Sequence, residues 1–126
     1  KTIASGSKGN CTIVLCDNTN LIIDMGISYL ALKQSLEENS LSFDNFSGVL
    51  ITHNHKDHII GLNSLIKKTD LNVFIPREMY DSIKNSVPED RCVFIDDEFS
   101  IFDVKICREI RLYFQQFDEC YLSFVP

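Results

Sequence analysis

The apolar positions of the chain fall into short β-branched or aliphatic runs that alternate with amphipathic stretches. Thr12 to Cys16 and Leu21 to Asp24 are two such runs, separated by Asp17-Asn18-Thr19-Asn20, and predict two strands joined by an Asx-rich turn. Ser28 is placed to cap a helix in which Tyr29, Leu32 and Leu36 recur at helical spacing. Lys33, Glu37 and Glu38 take the other positions, and Asn39-Ser40 ends the helix. Gly48 to Thr52 predicts a third strand, whose unbroken Val49-Leu50-Ile51 implies burial on both faces. Leu62, Leu65 and Ile66 mark one face of a second helix, closed by Lys67-Lys68, charges that suit a helix C-terminus. Asn72 to Ile75 is a fourth strand, and Pro76 suits the first turn of a short helix through about Lys84. After a turn at Val87-Pro88-Glu89-Asp90, Cys92 to Ile95 reads as a strand. Phe102, Val104 and Ile106 then alternate with Asp103 and Lys105, as in a half-buried strand. Strands alternating with helices give an α/β fold class.

Composition narrows the functional classes. A chain of 126 residues, 44% hydrophobic and 24% charged, fits one ordinary globular domain. Eighteen acidic against twelve basic residues leave a net charge of −6. That balance argues against a dedicated basic nucleic-acid module, whose affinity comes from neutralising phosphates. It leaves room for an enzyme that meets nucleic acid through a local patch and a metal. No apolar run approaches the length of a membrane span and no signal peptide is visible, so no membrane association and a cytoplasmic location are expected. Five scattered cysteines without a C-x-x-C speak against a disulfide framework or a cysteine zinc site, and fit small, buried, reduced side chains. Lys1 leads within six residues into a Gly/Ser loop, and the chain stops in apolar Phe124-Val125-Pro126. Residues 1–126 are therefore expected to be a partial domain cut at both ends.

All three histidines lie in Thr52-His53-Asn54-His55-Lys56-Asp57-His58, directly behind the buried third strand. Imidazole and carboxylate are ligands preferred by zinc and similar divalent ions. The spacing is not the i, i+4 pair of a helical H-E-x-x-H site, so a loop is implied. Four ligands within six residues cannot comfortably surround one ion. Two pairs serving two neighbouring ions is the simpler geometry, and such a site suits hydrolysis of phosphate or acyl bonds. A polar turn with incidental histidines is the alternative, and the concentration behind a buried strand weighs against it. Upstream, Gly6 and Gly9 allow the Ser5-to-Asn10 loop to point backbone N–H groups into a concavity, with Lys8 adding charge. That loop is not a P-loop, and by itself it reads as readily as a tight turn. Asp24 is either a turn residue before Gly26 or a group that orients a ligand, and the residues alone leave both open.

Thr52 through His58 matches the T-H-x-H-x-D-H signature of the metallo-β-lactamase fold superfamily. Ala4-Ser5-Gly6-Ser7-Lys8-Gly9-Asn10-Cys11-Thr12 and Leu21-Ile22-Ile23-Asp24-Met25-Gly26-Ile27-Ser28 resemble its WalJ/YycJ branch, regarded as cytoplasmic, metal-dependent DNA exonuclease-like hydrolases. The match covers residues 3 to about 106. The resemblance implies the N-terminal half of an αββα sandwich. It implies that His53 and His55 ligate one metal and Asp57 and His58 a second. Asp57 and Asp24 become the catalytic carboxylates, Asp24 by orienting a metal-bound histidine. Ser7, Lys8, Gly9 and Asn10 become substrate contacts at the rim. Two divalent ions, zinc ahead of manganese, and a nucleic-acid substrate follow, with no obligate protein partner. A glyoxalase-II-like thioester hydrolase would carry the same histidine motif, although the Ser5-to-Asn10 loop favours the nuclease branch. Flavodiiron proteins place Glu where this chain has His55. A non-catalytic fragment is the third alternative, because complete members draw further ligands from downstream and no histidine follows His58. After about residue 107 the sequence Cys107-Arg108-Glu109-Ile110-Arg111-Leu112-Tyr113-Phe114 departs from the family, and Phe117-Asp118 has Phe where a ligand His is expected.

Overall fold

A computed structural model of the chain describes residues 2–4, 10–16, 20–51, 55–95, 98–101, 104–107, 111–114 and 120–122. The strands are β1 (Thr2–Ala4), β2 (Cys11–Cys16), β3 (Asn20–Ile23), β4 (Gly48–Leu50), β5 (Asn72–Pro76), β6 (Cys92–Ile95), β7 (Glu98–Ile101), β8 (Val104–Cys107), β9 (Arg111–Phe114) and β10 (Cys120–Leu122). Three α-helices, α1 (Tyr29–Glu38), α2 (Lys56–Ile59) and α3 (Leu62–Lys68), and 3-10 turns at Phe43–Asn45, Arg77–Ser82 and Glu89–Arg91 complete the described elements.

A seven-stranded sheet runs in the order β1-β2-β3-β4-β5-β6, and β10 also pairs with β2. The outer edge of β2 is shared: Thr12 and Cys11 pair with β1, while Val14, Leu15 and Cys16 pair with β10. From β3 to β6 the pairings are parallel, with Ile23 opposite Leu50 and Val49 opposite Val73. Parallel neighbours require crossovers, and α1 and α3 provide two of them. Three antiparallel strands, β7-β8-β9, make a second sheet.

Strand alternation divides the buried side chains between two faces. Ile13, Ile22, Val49, Ile51, Val73 and Ile75 point to the face where Leu32 and Leu36 of α1 and Leu62, Leu65 and Ile66 of α3 pack, and all belong to one core cluster. The intervening Val14, Leu21, Ile23 and Leu50 are buried as well, so the opposite face is also covered. The apolar run at Val49 to Ile51 thus reflects a strand buried on both sides.

The described elements agree with the patterning for most of their length, and the departures have local causes. Ser28 caps α1 as expected, its Oγ accepting from the Ala31 N–H at 3.1 Å. Asp24 falls outside β3 because its φ of 64° leaves extended geometry. The stretch after Pro76 winds as a 3-10 turn rather than an α-helix. Arg77 and Tyr80, three apart and so eclipsed in that geometry, both reach Phe94: the guanidinium lies 3.9 Å from the ring centroid, and Tyr80 packs edge-on. The loop expected throughout the histidine cluster includes a helical turn, α2. Its onset at Lys56 follows from His55 serving as an extended N-cap residue, φ −72° and ψ 149°. Strands β1, β7, β9 and β10 carry no pattern that singled them out. Asp17 to Thr19, Phe102 and Asp103 lie outside the described residues.

Candidate metal centre

Strands β3 and β4 are adjacent and parallel, so the segments that leave their C-terminal ends start side by side. In open α/β sheets this is where ligand sites form. Asp24 is the first residue beyond β3, and its N–H donates to the Leu50 carbonyl at 2.8 Å, prolonging the pairing past the strand end. The histidine cluster begins two residues after Leu50. Sheet register therefore brings Asp24 next to a segment 34 residues away.

Asp24, Met25 and Gly26 form a hub. Their three consecutive N–H groups donate to Leu50, His58 and Asn10 carbonyls at 2.8, 2.7 and 2.8 Å. Such divergence of successive N–H groups needs an irregular backbone, and Asp24 supplies it in the left-handed region, which Asp tolerates better than most residues. The Gly61 N–H returns to the Met25 carbonyl at 2.8 Å. A Cβ at Gly61 would collide with the Ile27 carbonyl oxygen, so this close approach requires glycine.

Within the hub, Asp24 is 5% exposed. Its Oδ2 accepts from His58 Nδ1 at 2.7 Å. A carboxylate oxygen only accepts, so Nδ1 is the donor in this contact. Asn10, the residue before β2, reaches the same ring: its Nδ2 lies 3.3 Å from His58 Nε2. The imidazole is thus held on both nitrogens, and the His58 carbonyl is tied to Met25. Cys11 lies beside this cluster, wholly buried. Burial, reinforced by the negative charge of Asp24, pushes its thiol up to about 12. A protonated, inert thiol is neither a ligand nor a nucleophile.

Among the residues predicted for the site, the structure brings together Asp24, His58 and Asn10. His55 stands exposed at the N-terminus of α2, and the His58 N–H donates to its carbonyl at 2.9 Å. Asp57 is placed within α2 by its backbone. His53, Ser7, Lys8 and Gly9 lie outside the described residues. Among the described residues no three His, Cys, Asp or Glu side chains converge. Sequence reasoning missed the Met25 and Gly61 contacts and the approach of Asn10 to His58. Gly61 is the one sequence signal that could have pointed there, a glycine inside an otherwise regular stretch.

A cleft of about 410 Å³ adjoins the hub, lined by Gly26, Ile27, Tyr29, Ile60, Gly61 and neighbours. Tyr29 is already engaged there, stacked on Phe43 at 5.2 Å with the Lys68 ammonium 4.7 Å from its centroid. A cleft of about 450 Å³ near Phe43, Lys68 and Leu71 sits under the opposite, N-terminal ends of β4 and β5, away from the cluster.

Residues 3–94 match the family described as Anti-Pycsar protein Apyc1. The chain belongs to this family. Within the Apyc1 family match lie the histidine cluster, Asp24 and Asn10 alike. Over 113 residues the chain is 35% identical to the exodeoxyribonuclease YycJ of Bacillus anthracis, covering 87% of this chain and 41% of that protein. It therefore spans less than half the length of that relative, and the WalJ/YycJ likeness holds over nearly all of what it spans. Its fold is that of the metallo-β-lactamases. A B3 metallo-β-lactamase with an active-site glutamic acid superposes with a TM-score of 0.72 at 12% identity, over 96% of this chain and 56% of that one. The protein TTHA1623 in a di-iron-bound form gives 0.70 at 16% identity, over 85% and 59%. No helix among the described residues is long and apolar enough to cross a membrane.

Proposed function

We propose that the chain contributes part of a two-ion hydrolytic centre, and that the whole protein cleaves phosphodiester bonds in nucleic acid. The observation that carries this reading is the Asp24–His58 pair at the exits of two adjacent parallel strands. A carboxylate on one ring nitrogen is the arrangement that orients a histidine whose other nitrogen binds a metal. The donor set fits such ions: imidazoles and a carboxylate suit zinc, and manganese is accepted by the same chemistry. His53 and His55 would hold one ion, Asp57 and His58 the other. Bound there, the ions would supply Lewis acidity to a phosphoryl oxygen and activate water for attack.

The chain's own residues do the rest. Asp24 keeps the proton on His58 Nδ1, and the Met25 N–H holds the His58 carbonyl in place. His55 is exposed at the N-terminus of α2. With a net charge of −6, attraction for phosphate must be local, and the Ser7-Lys8-Gly9-Asn10 loop is the segment suited to supply it. The YycJ relative, an exodeoxyribonuclease by name, supports nucleic acid over a thioester as substrate. The di-iron-bound structural neighbour of this chain supports two ions.

The test is hydrolysis of end-labelled single- and double-stranded DNA by the full protein, alongside a thioester, after chelation and after return of zinc or manganese. DNA cleavage that disappears on chelation and returns with an ion is expected. Thioester turnover without DNA cleavage would reassign the substrate, and inactivity on both with either ion would favour a non-catalytic protein.

A further inference from the structure

Between α3 and the connection that joins β5 to β6 lies a cleft of about 440 Å³. Lys67, Lys84 and Arg91 line it together with Asn63, Asn85 and Ser86, and no carboxylate is among its wall residues. The other two clefts differ: the one near Phe43 has Asp44 and Asp70 beside Lys68, and the one beside the hub has no charged wall. Three cations in one concavity are the reverse of the chain as a whole, whose net charge is −6. A cleft lined by one sign of charge focuses the field and gathers ions of the other sign.

The charges of this cleft are not spent internally. Arg91 donates to the carbonyls of Ile66, Thr69 and Leu71, which hold the guanidinium in place without neutralising it. Lys84 has a carboxylate neighbour, Asp81 at 3.7 Å, but both groups are exposed and such a pair is worth little. Among the described residues neither Lys67 nor Arg91 has an ion-pair partner. Glu89 and Asp90 come directly after Pro88, are exposed, and do not line the cleft.

Lysines, amides and a hydroxyl around a fixed guanidinium make a donor-rich wall of the kind that meets phosphate oxygens. We propose that this cleft is a second nucleic-acid contact, which binds the phosphodiester backbone of a single strand away from the metal centre. The inference rests on the nucleic-acid reading above and adds an anchoring site to it. Charge complementarity names the occupant. The cations come from separate elements on both sides of the cleft, which suits a run of phosphates better than one small anion. Helix α3 sets the distance: Gly61 of the hub is its N-cap, and Lys67 lies in its last turn. At ~1.5 Å per residue the two stand roughly 9 Å apart along the axis, about the rise of three nucleotides.

The experiment measures binding of fluorescein-labelled oligothymidylate to the full protein by anisotropy, in EDTA and across a salt series. Wild type is compared with the double variant Lys67→Gln/Lys84→Gln, both exposed positions. A second double variant, Lys33→Gln/Lys68→Gln, removes the same charge from residues outside the cleft. Each lost phosphate contact lowers the salt slope on single strands by about 0.7. The cleft variant should therefore lose about 1.4 of slope and roughly 20-fold in affinity near 0.1 M salt. The control should change affinity by less than about three-fold, since scattered exposed charges act only through a screened field. Hydrolysis of bis(4-nitrophenyl) phosphate, too small to span both sites, should be equal in wild type and the cleft variant. Unchanged affinity and slope in the cleft variant, or an equal loss in the control, would overturn the cleft while DNA cleavage by wild type stands. A wild type that hydrolyses the small diester yet neither binds nor cleaves DNA would overturn the nucleic-acid reading and the cleft with it.

Discussion

Two parts of the molecule are held by long-range polar contacts, one through backbone donors and the other through a single side chain. At the exits of β3 and β4, the N–H groups of Asp24, Met25 and Gly26 bind carbonyls of three separate segments, and the Asp24 carboxylate also reaches the His58 ring. At the far end of α3, Arg91 is turned on backbone carbonyls. Its Nη1 donates to Ile66 at 3.1 Å, its Nη2 to Thr69 at 2.8 Å, and its Nε and Nη2 to Leu71. Those carbonyls belong to the end of α3 and the approach to β5, where helix geometry leaves acceptors unpaired. Arg91 thus caps the helix and fastens it to the sheet, with three of its nitrogens committed to the fold. The hub adds to its backbone bonds a side-chain contact, from Asp24 to the ring of His58, a candidate ligand. Both ends fasten distant segments to the sheet, and the hub alone of the two includes a candidate metal ligand.

The largest effect expected at the hub end is on activity. His55→Ala in the full protein should lower phosphodiester hydrolysis more than about 100-fold, beyond what is usual for groups that only orient a ligand. Its exposure should keep the change in unfolding free energy within about 0.5 kcal/mol. Hydrolysis rates and urea midpoints on one preparation check both halves, and retained activity would remove His55 from the site. Asp24→Asn keeps the side-chain shape and tolerates the left-handed backbone while removing the charge on Oδ2. Zinc affinity by calorimetry should fall about 10- to 100-fold.

The Arg91 end should behave in the reverse way. Arg91→Met leaves carbonyls without their donor and should cost about 1–3 kcal/mol in urea denaturation, with zinc affinity unchanged. A metal-binding loss in that variant as large as its loss of stability would erase the distinction between the two regions.

A last expected effect concerns pH. Cys11 has its folded pKa raised to about 12 from an ordinary 9.0, so above pH 9 the unfolded chain loses this proton first. Stability linked to Cys11 is complete below pH 9 and declines as pH rises toward 12. The urea midpoint between pH 8 and 11 should fall less steeply in Cys11→Ala than in wild type.

Much of this was legible from local pattern. Ser28 and the Tyr29, Leu32, Leu36 spacing marked α1, Val49-Leu50-Ile51 marked a doubly buried strand, and the T-H-x-H-x-D-H run marked both the family and the candidate ligands. The Pro76 stretch was harder: it winds as a 3-10 turn from which Arg77 and Tyr80 meet Phe94, a partner on a later strand that no local pattern names. Arg91 gave no sequence signal at all, since its partners are carbonyls between 20 and 25 residues away.

The sequence alone determined most elements from β2 to β6 and which side chains offer metal chemistry, because periodicity, capping and ligand type are properties of neighbouring residues. The tertiary structure alone decided that Asp24 meets His58 across 34 residues and that Asn10 meets it across 48. Those pairings follow from β3 lying parallel to β4 in one register, from a left-handed turn at Asp24, and from a glycine that lets α3 approach Ile27. Strand order and register are set by how the whole core packs, and no local pattern encodes them.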